Sequence, residues 1–228
     1  LTPLFNPLLT VPEIPLTDLD PRIQKQVQAA DQSIAKGNPA YAIEVCTGIL
    51  DKHPECLDVR KVIRKAQRKL ASSKGKGTKV FSGVTNAPFM VKAGKQIKND
   101  PMGAMDAAEK LLKVNPHNVQ AHRLLADAAK EANMLETVIF AYDSIRKSEP
   151  KDIENLLALG EAYIAVGKID EAVKTGDEIL SVSPGHGGAT EMIRRGAVAT
   201  SMEKWPWGNR GGFTAAVQDE DEAISLAQ

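Results

Sequence analysis

The chain has 228 residues, 43% apolar and 25% charged, and its 29 Lys and Arg balance its 29 Asp and Glu. This composition excludes a low-complexity or disordered chain and predicts one or two globular domains with a core of their own. No apolar run reaches the ~18 residues of a membrane-spanning helix.

Aromatic residues make up only 4% of the chain. The core is therefore expected to be aliphatic and Ala-rich, which suits helices packed closely on helices. Residues 1–21 come first. Pro3, Pro7, Pro12, Pro15 and Pro21 rule out a continuous helix there, yet the segment is rich in Leu and carries Phe5, Val11 and Ile14. It is expected to be an extended arm laid in an apolar groove, either of its own chain or of a partner. Asp20 is placed to cap the first helix, with Pro21 at its first turn. The stretch "YAIEVCTGIL" is helical and buries Cys46. With Cys56 as the only other cysteine, a disulfide scaffold is too thin, and free thiols in the cytoplasm are expected.

The next helix, 57–71, concentrates charge. Residues 60–79 hold nine Lys or Arg and no acid, and residues 59–99 hold twelve of the 29 basic residues. Val59, Val62, Ile63, Ala66 and Leu70 form an apolar stripe. Arg60, Arg64 and Arg68 form one i,i+4 row, and Lys61, Lys65 and Lys69 form the next. The two rows predict a single cationic face, extended by Lys74, Lys76 and Lys79 in a Gly/Ser-rich loop over 72–86. A merely solvated basic face is the plain alternative. The functional reading is an anionic partner: an acidic protein surface or tail, a membrane of anionic lipid bound through the helix and loop, or, least favoured, RNA. Only Phe81 in the loop could stack on a base.

Prolines then mark a period. Pro116, Pro150 and Pro184 are 34 residues apart, each after an amphipathic helix, and Pro54 is an earlier member 62 residues before Pro116. Residues 153–186 place Leu156, Leu159, Gly160, Tyr163, Ala172, Gly176 and Pro184 in one frame. Residues 119–152 place His122, Leu125, Ala126, Ala129, Val138, Tyr142 and Pro150 in the same frame. On these residues the chain resembles the tetratricopeptide-repeat family over about 22–204. Gly176 stands where the family has an aromatic, and His122 where it has a large apolar residue. Small residues at 126 and 160 are expected where the two helices of one repeat meet.

The resemblance implies an all-α, right-handed α-solenoid. Its units are 23–56, an irregular 57–118, 119–152 and 153–186, followed by a capping helix 187–204 and a tail 205–228 with a short acidic helix. It also implies a concave groove lined by first helices, here through Gln120, Arg123, Asp127, Lys130, Glu154, Leu157 and Glu161. Acids alternate with bases in that set, so the Lys/Asn/Arg clamp for a terminal carboxylate found in some family members is not reproduced. The four histidines lack metal-ligand spacing, and no nucleotide loop or nucleophile motif occurs. The expectation is a non-enzymatic adaptor without cofactor or metal, holding a protein partner with an acidic surface, or a filament or large assembly by analogy with kinesin-light-chain scaffolds.

Overall fold

The computed structural model describes residues 12–73 and 87–204, and these form ten α-helices with no strand among them. In chain order they are α1 Pro21–Ala35, α2 Pro39–Leu50, α3 Leu57–Ser73, α4 Ala87–Gln96, α5 Pro101–Val114, α6 Val119–Glu131, α7 Leu135–Ser148, α8 Ile153–Ala165, α9 Ile169–Val182 and α10 Gly187–Lys204. The arm residues 1–11, most of the basic loop with Lys74, Lys76 and Lys79, and the tail 205–228 lie outside the described residues.

The architecture is all-α, a series of helix hairpins in the repeat register. The second helix of each hairpin (α2, α5, α7, α9) ends two to four residues before Pro54, Pro116, Pro150 or Pro184. Proline cannot donate the amide that would carry the helix on. Starts are equally local. Asp20 accepts from Arg22 N at 2.7 Å, Asn38 from Tyr41 N at 3.3 Å and Asp100 from Gly103 N at 2.8 Å, each followed by proline at the first helical position. The tight turn inside a hairpin needs one left-handed residue. Gly37, Asn133 and Gly167 supply it, with φ of 86°, 61° and 75°.

The chain forms two compact units that divide between Asn155 and Leu156, inside α8. In the first unit, α1, α2 and α3 close a core of Val27, Ala30, Ile34, Ala42, Cys46, Ile49, Val59, Ile63 and Ala66. Helices α4 to α7 follow, each packed on the next. Helix α4 has 10 residues against 13 in α6. Both thiols are fully buried, and burial, with Asp31 nearby, pushes Cys46 up to about 11. Native protein is therefore expected to resist maleimide at pH 7, with both cysteines labelling only after unfolding; rapid labelling of the folded chain would contradict this packing.

In the second unit, glycines set how closely α10 approaches its neighbours. A Cβ at Gly176 would lie 2.7 Å from Ile193 Cγ1, and one at Gly196 would lie 2.5 Å from Val173 Cγ2. Ile193 thus meets the backbone where the family has an aromatic on α9. Gly160 corrects one expectation: the atoms nearest its Cβ would be those of the Met192 side chain on α10, the helix that follows the last repeat, rather than the second helix of its own repeat. Gly160→Leu is expected to cost about 1–3 kcal/mol in thermal unfolding, because Met192 is itself buried and has little room to retreat. Gly160→Ala should cost less than Gly160→Leu, since its Cβ already meets the buried Met192 side chain but the ~1 kcal/mol gain in helix propensity offsets part of that clash.

Candidate functional site

The basic helix does not present the face its charge pattern suggests. Arg60 and Arg64 are each 1% exposed, which corrects the expectation of an outward arginine row. Helix α3 is buried on two sides. Val59, Ile63 and Ala66 face the α1–α2 core, and the adjacent row carrying Arg60, Arg64 and Gln67 is covered as well. Glu109 of α5 receives both guanidiniums, from Arg60 Nη1 at 2.6 Å and Arg64 Nη2 at 2.9 Å. Arg60 Nη2 also donates to the Pro54 carbonyl at 2.8 Å, and Arg64 Nη1 donates to Gln67 Oε1. Burial lowers Arg64 from its usual range, and the Glu109 charge opposes that. Arg68 is half-buried with its Nε unpartnered, and burial lowers it too, with Asp143 of α7 pulling the other way.

The exposed remainder is the lysine row. Lys61 pairs with Asp58 at 3.4 Å and Lys65 with Asp31 at 2.7 Å, all four side chains at least 43% exposed, and Lys69 is exposed. Such surface pairs hold by ~0–1 kcal/mol, so an arriving carboxylate can displace them. Lys92, Lys95 and Lys98 are exposed as well.

In the first unit, the predicted groove residues sit on and beside α6. Gln120, Asp127 and Lys130 are exposed along one side, while Ala121, Leu125, Ala128 and Ala129 are buried on the other. Arg123 donates to Asp152 at 2.7 Å and to Glu154 at 3.3 Å. Asp152 also accepts from Asn155 N at 3.0 Å, so Arg123 ties α6 to the start of α8. Asp127 is solvent-accessible, yet its carboxyl is raised by desolvation, against the pull of Lys130 and Arg123. Tyr142 is raised by the same cause, with Asp127 adding to it. Together they mark a polar face along α6. In the second unit, Glu161 is bound by Arg195 of α10 at 2.7 Å, and Leu157 is half-buried.

The arm's described end lies on its own chain. Ile14 N donates to the Glu55 carbonyl at 3.4 Å, and Leu16 N donates to Asp58 at 3.1 Å. The Glu13 carboxylate accepts from Glu136 N and Thr137 N, both at 2.8 Å, and from the Thr137 hydroxyl at 2.5 Å. These groups open α7, whose own N-cap residue Met134 makes no side-chain cap. A residue more than a hundred positions away therefore caps α7 and supplies the negative charge its dipole favours. Glu13→Ala is expected to lower stability by about 1–2 kcal/mol in urea unfolding, while Glu13→Asp, too short to reach both amides, recovers part of it. An unchanged midpoint for Glu13→Ala would remove the cap from the account.

Among the described residues, no group of three His, Cys, Asp or Glu is placed to hold a metal ion. His122 takes the family's large apolar position, 1% exposed, with its Nε2 donating to the Pro116 carbonyl at 3.1 Å.

No protein-family model matches the chain, and no curated protein matches it. Solved structures do. The crystal structure of MamA shares 15% identity at a TM-score of 0.41, over 89% of this chain and 94% of that one. TTC0263, a thermophilic tetratricopeptide protein of Thermus thermophilus, shares 18% at 0.39, over 78% and 98%. The first tetratricopeptide domain of Spaghetti (RPAP3), bound to the HSP90 peptide SRMEEVD, shares 20% at 0.44, over 50% and 91%. The fold described above rests on this chain's own 34-residue register and helix packing.

Proposed function

We propose that the protein is a non-enzymatic scaffold of tetratricopeptide type that holds a protein partner with an acidic surface. The observation that carries this is the split fate of the basic helix. Its arginines serve the core, while Lys61, Lys65 and Lys69 remain on the surface in weak pairs. The α6 face with Gln120, Asp127 and Lys130 exposed is the second contact surface. Its mixed charge suits a segment that presents both signs. Arg60 and Arg64 leave the proposed interface.

The test reverses the lysine row alone. Capture of a purified binding partner by the wild-type chain should fall by at least about tenfold in the Lys61→Glu, Lys65→Glu, Lys69→Glu variant, and should weaken with salt. Thermal stability should move by no more than roughly 1 kcal/mol, because all three side chains are exposed. Capture that survives reversal, and is lost instead in Asp127→Lys, would move the interface to the α6 face. Cosedimentation with anionic vesicles that follows the same lysines would replace the protein partner with a membrane surface.

A further inference from the structure

Helix α6 of the first unit packs on both α5 and α7, and two of its rows are buried: Ala121, Leu124 and Ala128, and beside them His122, Leu125, Ala126 and Ala129. Two 34-residue periods further on, the same positions fall on α10. Ala189, Met192 and Gly196 are buried as their counterparts are, but Thr190, Arg194 and Ala197 are exposed and Ile193 is half-buried. Among the described residues α10 packs on α9, and no helix follows it. A groove of about 430 Å³ lies between α9 and α10, with Val173, Ile193, Gly196 and Ala197 as apolar lining and Asp170 and Lys174 among its polar groups.

The sequence beyond α10 matches this groove. At helical spacing Phe213, Ala216, Val217, Ala223, Ile224 and Ala227 share one face. Glu220 is the acid inside that face, and Asp219, Asp221 and Glu222 lie outside it. Lys174 in the groove and Arg194 on the exposed row are cations that such acids would meet. The eight residues 205–212 hold Pro206 and three glycines, which favour a turn. Extended, they reach about 26–29 Å, and the 18 residues of α10 are about 27 Å long, so the chain can return along the helix. We propose that α10 is the first helix of a further repeat, and that residues 213–228 of the same chain supply its second helix, docked by their apolar face in the α9–α10 groove. The acids then give this terminal repeat the polar outer face that keeps a solenoid soluble.

Amide hydrogen exchange and urea unfolding of the full chain test this. Val217→Asp with Ile224→Asp puts two charges on the docking face, and should speed exchange in α10 at least about tenfold and lower the urea midpoint. Gln218→Asp with Ser225→Asp adds the same charge on the opposite face and should change neither. Ala197→Glu is the sharper arm. At an exposed position it should be silent beside an open groove, but with 213–228 docked it should act like the Val217→Asp, Ile224→Asp pair. Combined with that pair it should add little, because both break one contact. Exchange in the wild type should not depend on protein concentration, since the segment belongs to the same chain. Protection of α10 that grows with concentration would assign the groove to the segment of a second copy and overturn the proposal. Exchange in α10 unchanged by Val217→Asp with Ile224→Asp, or a silent Ala197→Glu, would overturn it as well.

Discussion

Glu109→Gln is expected to destabilise the protein by about 3–5 kcal/mol, the usual cost of removing one partner from a buried ion pair. The amide keeps the shape but removes the charge that two 1%-exposed guanidiniums share. Domains are stable by only ~5–15 kcal/mol, so this is a large part of the margin and should show directly in the urea midpoint. A shift under about 1 kcal/mol would mean that solvent reaches the arginines. The acid limb should follow. Burial alone would raise the Glu109 carboxyl, but Arg64 and Arg60, by charge and hydrogen bond, together hold it below the ordinary range. A depressed carboxyl contributes stability that is present above its unfolded value, ~4.3, and is lost as pH falls through the lower folded value. Wild type and Glu109→Gln should therefore converge only in strong acid.

Replacing the whole cluster asks a different question. Arg60→Met, Arg64→Met and Glu109→Leu together leave no charge unpaired, so the triple variant should lose far less than Glu109→Gln alone, and can match the wild type. That contrast separates net stabilisation from the penalty of an orphaned charge. A triple variant as damaged as the single one would assign the loss to packing.

The sequence shows the repeat because a helix hairpin must solve the same local problems each time. It needs a polar cap or proline to start, a left-handed residue in the turn and a proline to stop. Gly37, Asn133 and Gly167 and the four spaced prolines are the traces. The destination of Arg60 and Arg64 is not local. Counting charges along α3 finds a basic face, but burial depends on a partner 45 to 49 residues away. One signal was present: Glu109 shares a face of α5 with the buried Met105 and Leu112, and a carboxylate set in an apolar stripe calls for an inward cation. Glu13 left no such mark, because nothing near residue 13 announces that α7 lacks a cap of its own. Gly160 shows the opposite case: smallness at the position was legible, and the helix it makes room for was not.

His122 ties a departure from the repeat pattern to a measurable pH response. It lies where the family carries a large apolar side chain, and its neutral ring donates to the Pro116 carbonyl. Burial, aided by the positive charge of Arg64, pushes it down to about 3. Between about 3 and an unfolded value near 6.5, the unfolded chain binds a proton that the folded chain refuses. Stability should therefore rise with pH across that window, by at most ~1.4 kcal/mol per unit, which makes the native state about 2 kcal/mol weaker at pH 5 than at pH 7. Glu109 does not confuse the reading, because its own loss begins only as pH falls to its unfolded value, ~4.3, below the span from pH 7 to pH 5. His122→Leu restores an apolar group of similar bulk, and its urea midpoint should be nearly flat from pH 7 to pH 5 while the wild type declines. The expected crossing is at neutral pH, where the variant gives up one hydrogen bond but gains apolar burial, two effects of about 1 kcal/mol that oppose each other. If both proteins decline alike between pH 7 and pH 5, the ring is charged in the folded state, and the core around α6 must open to admit the proton.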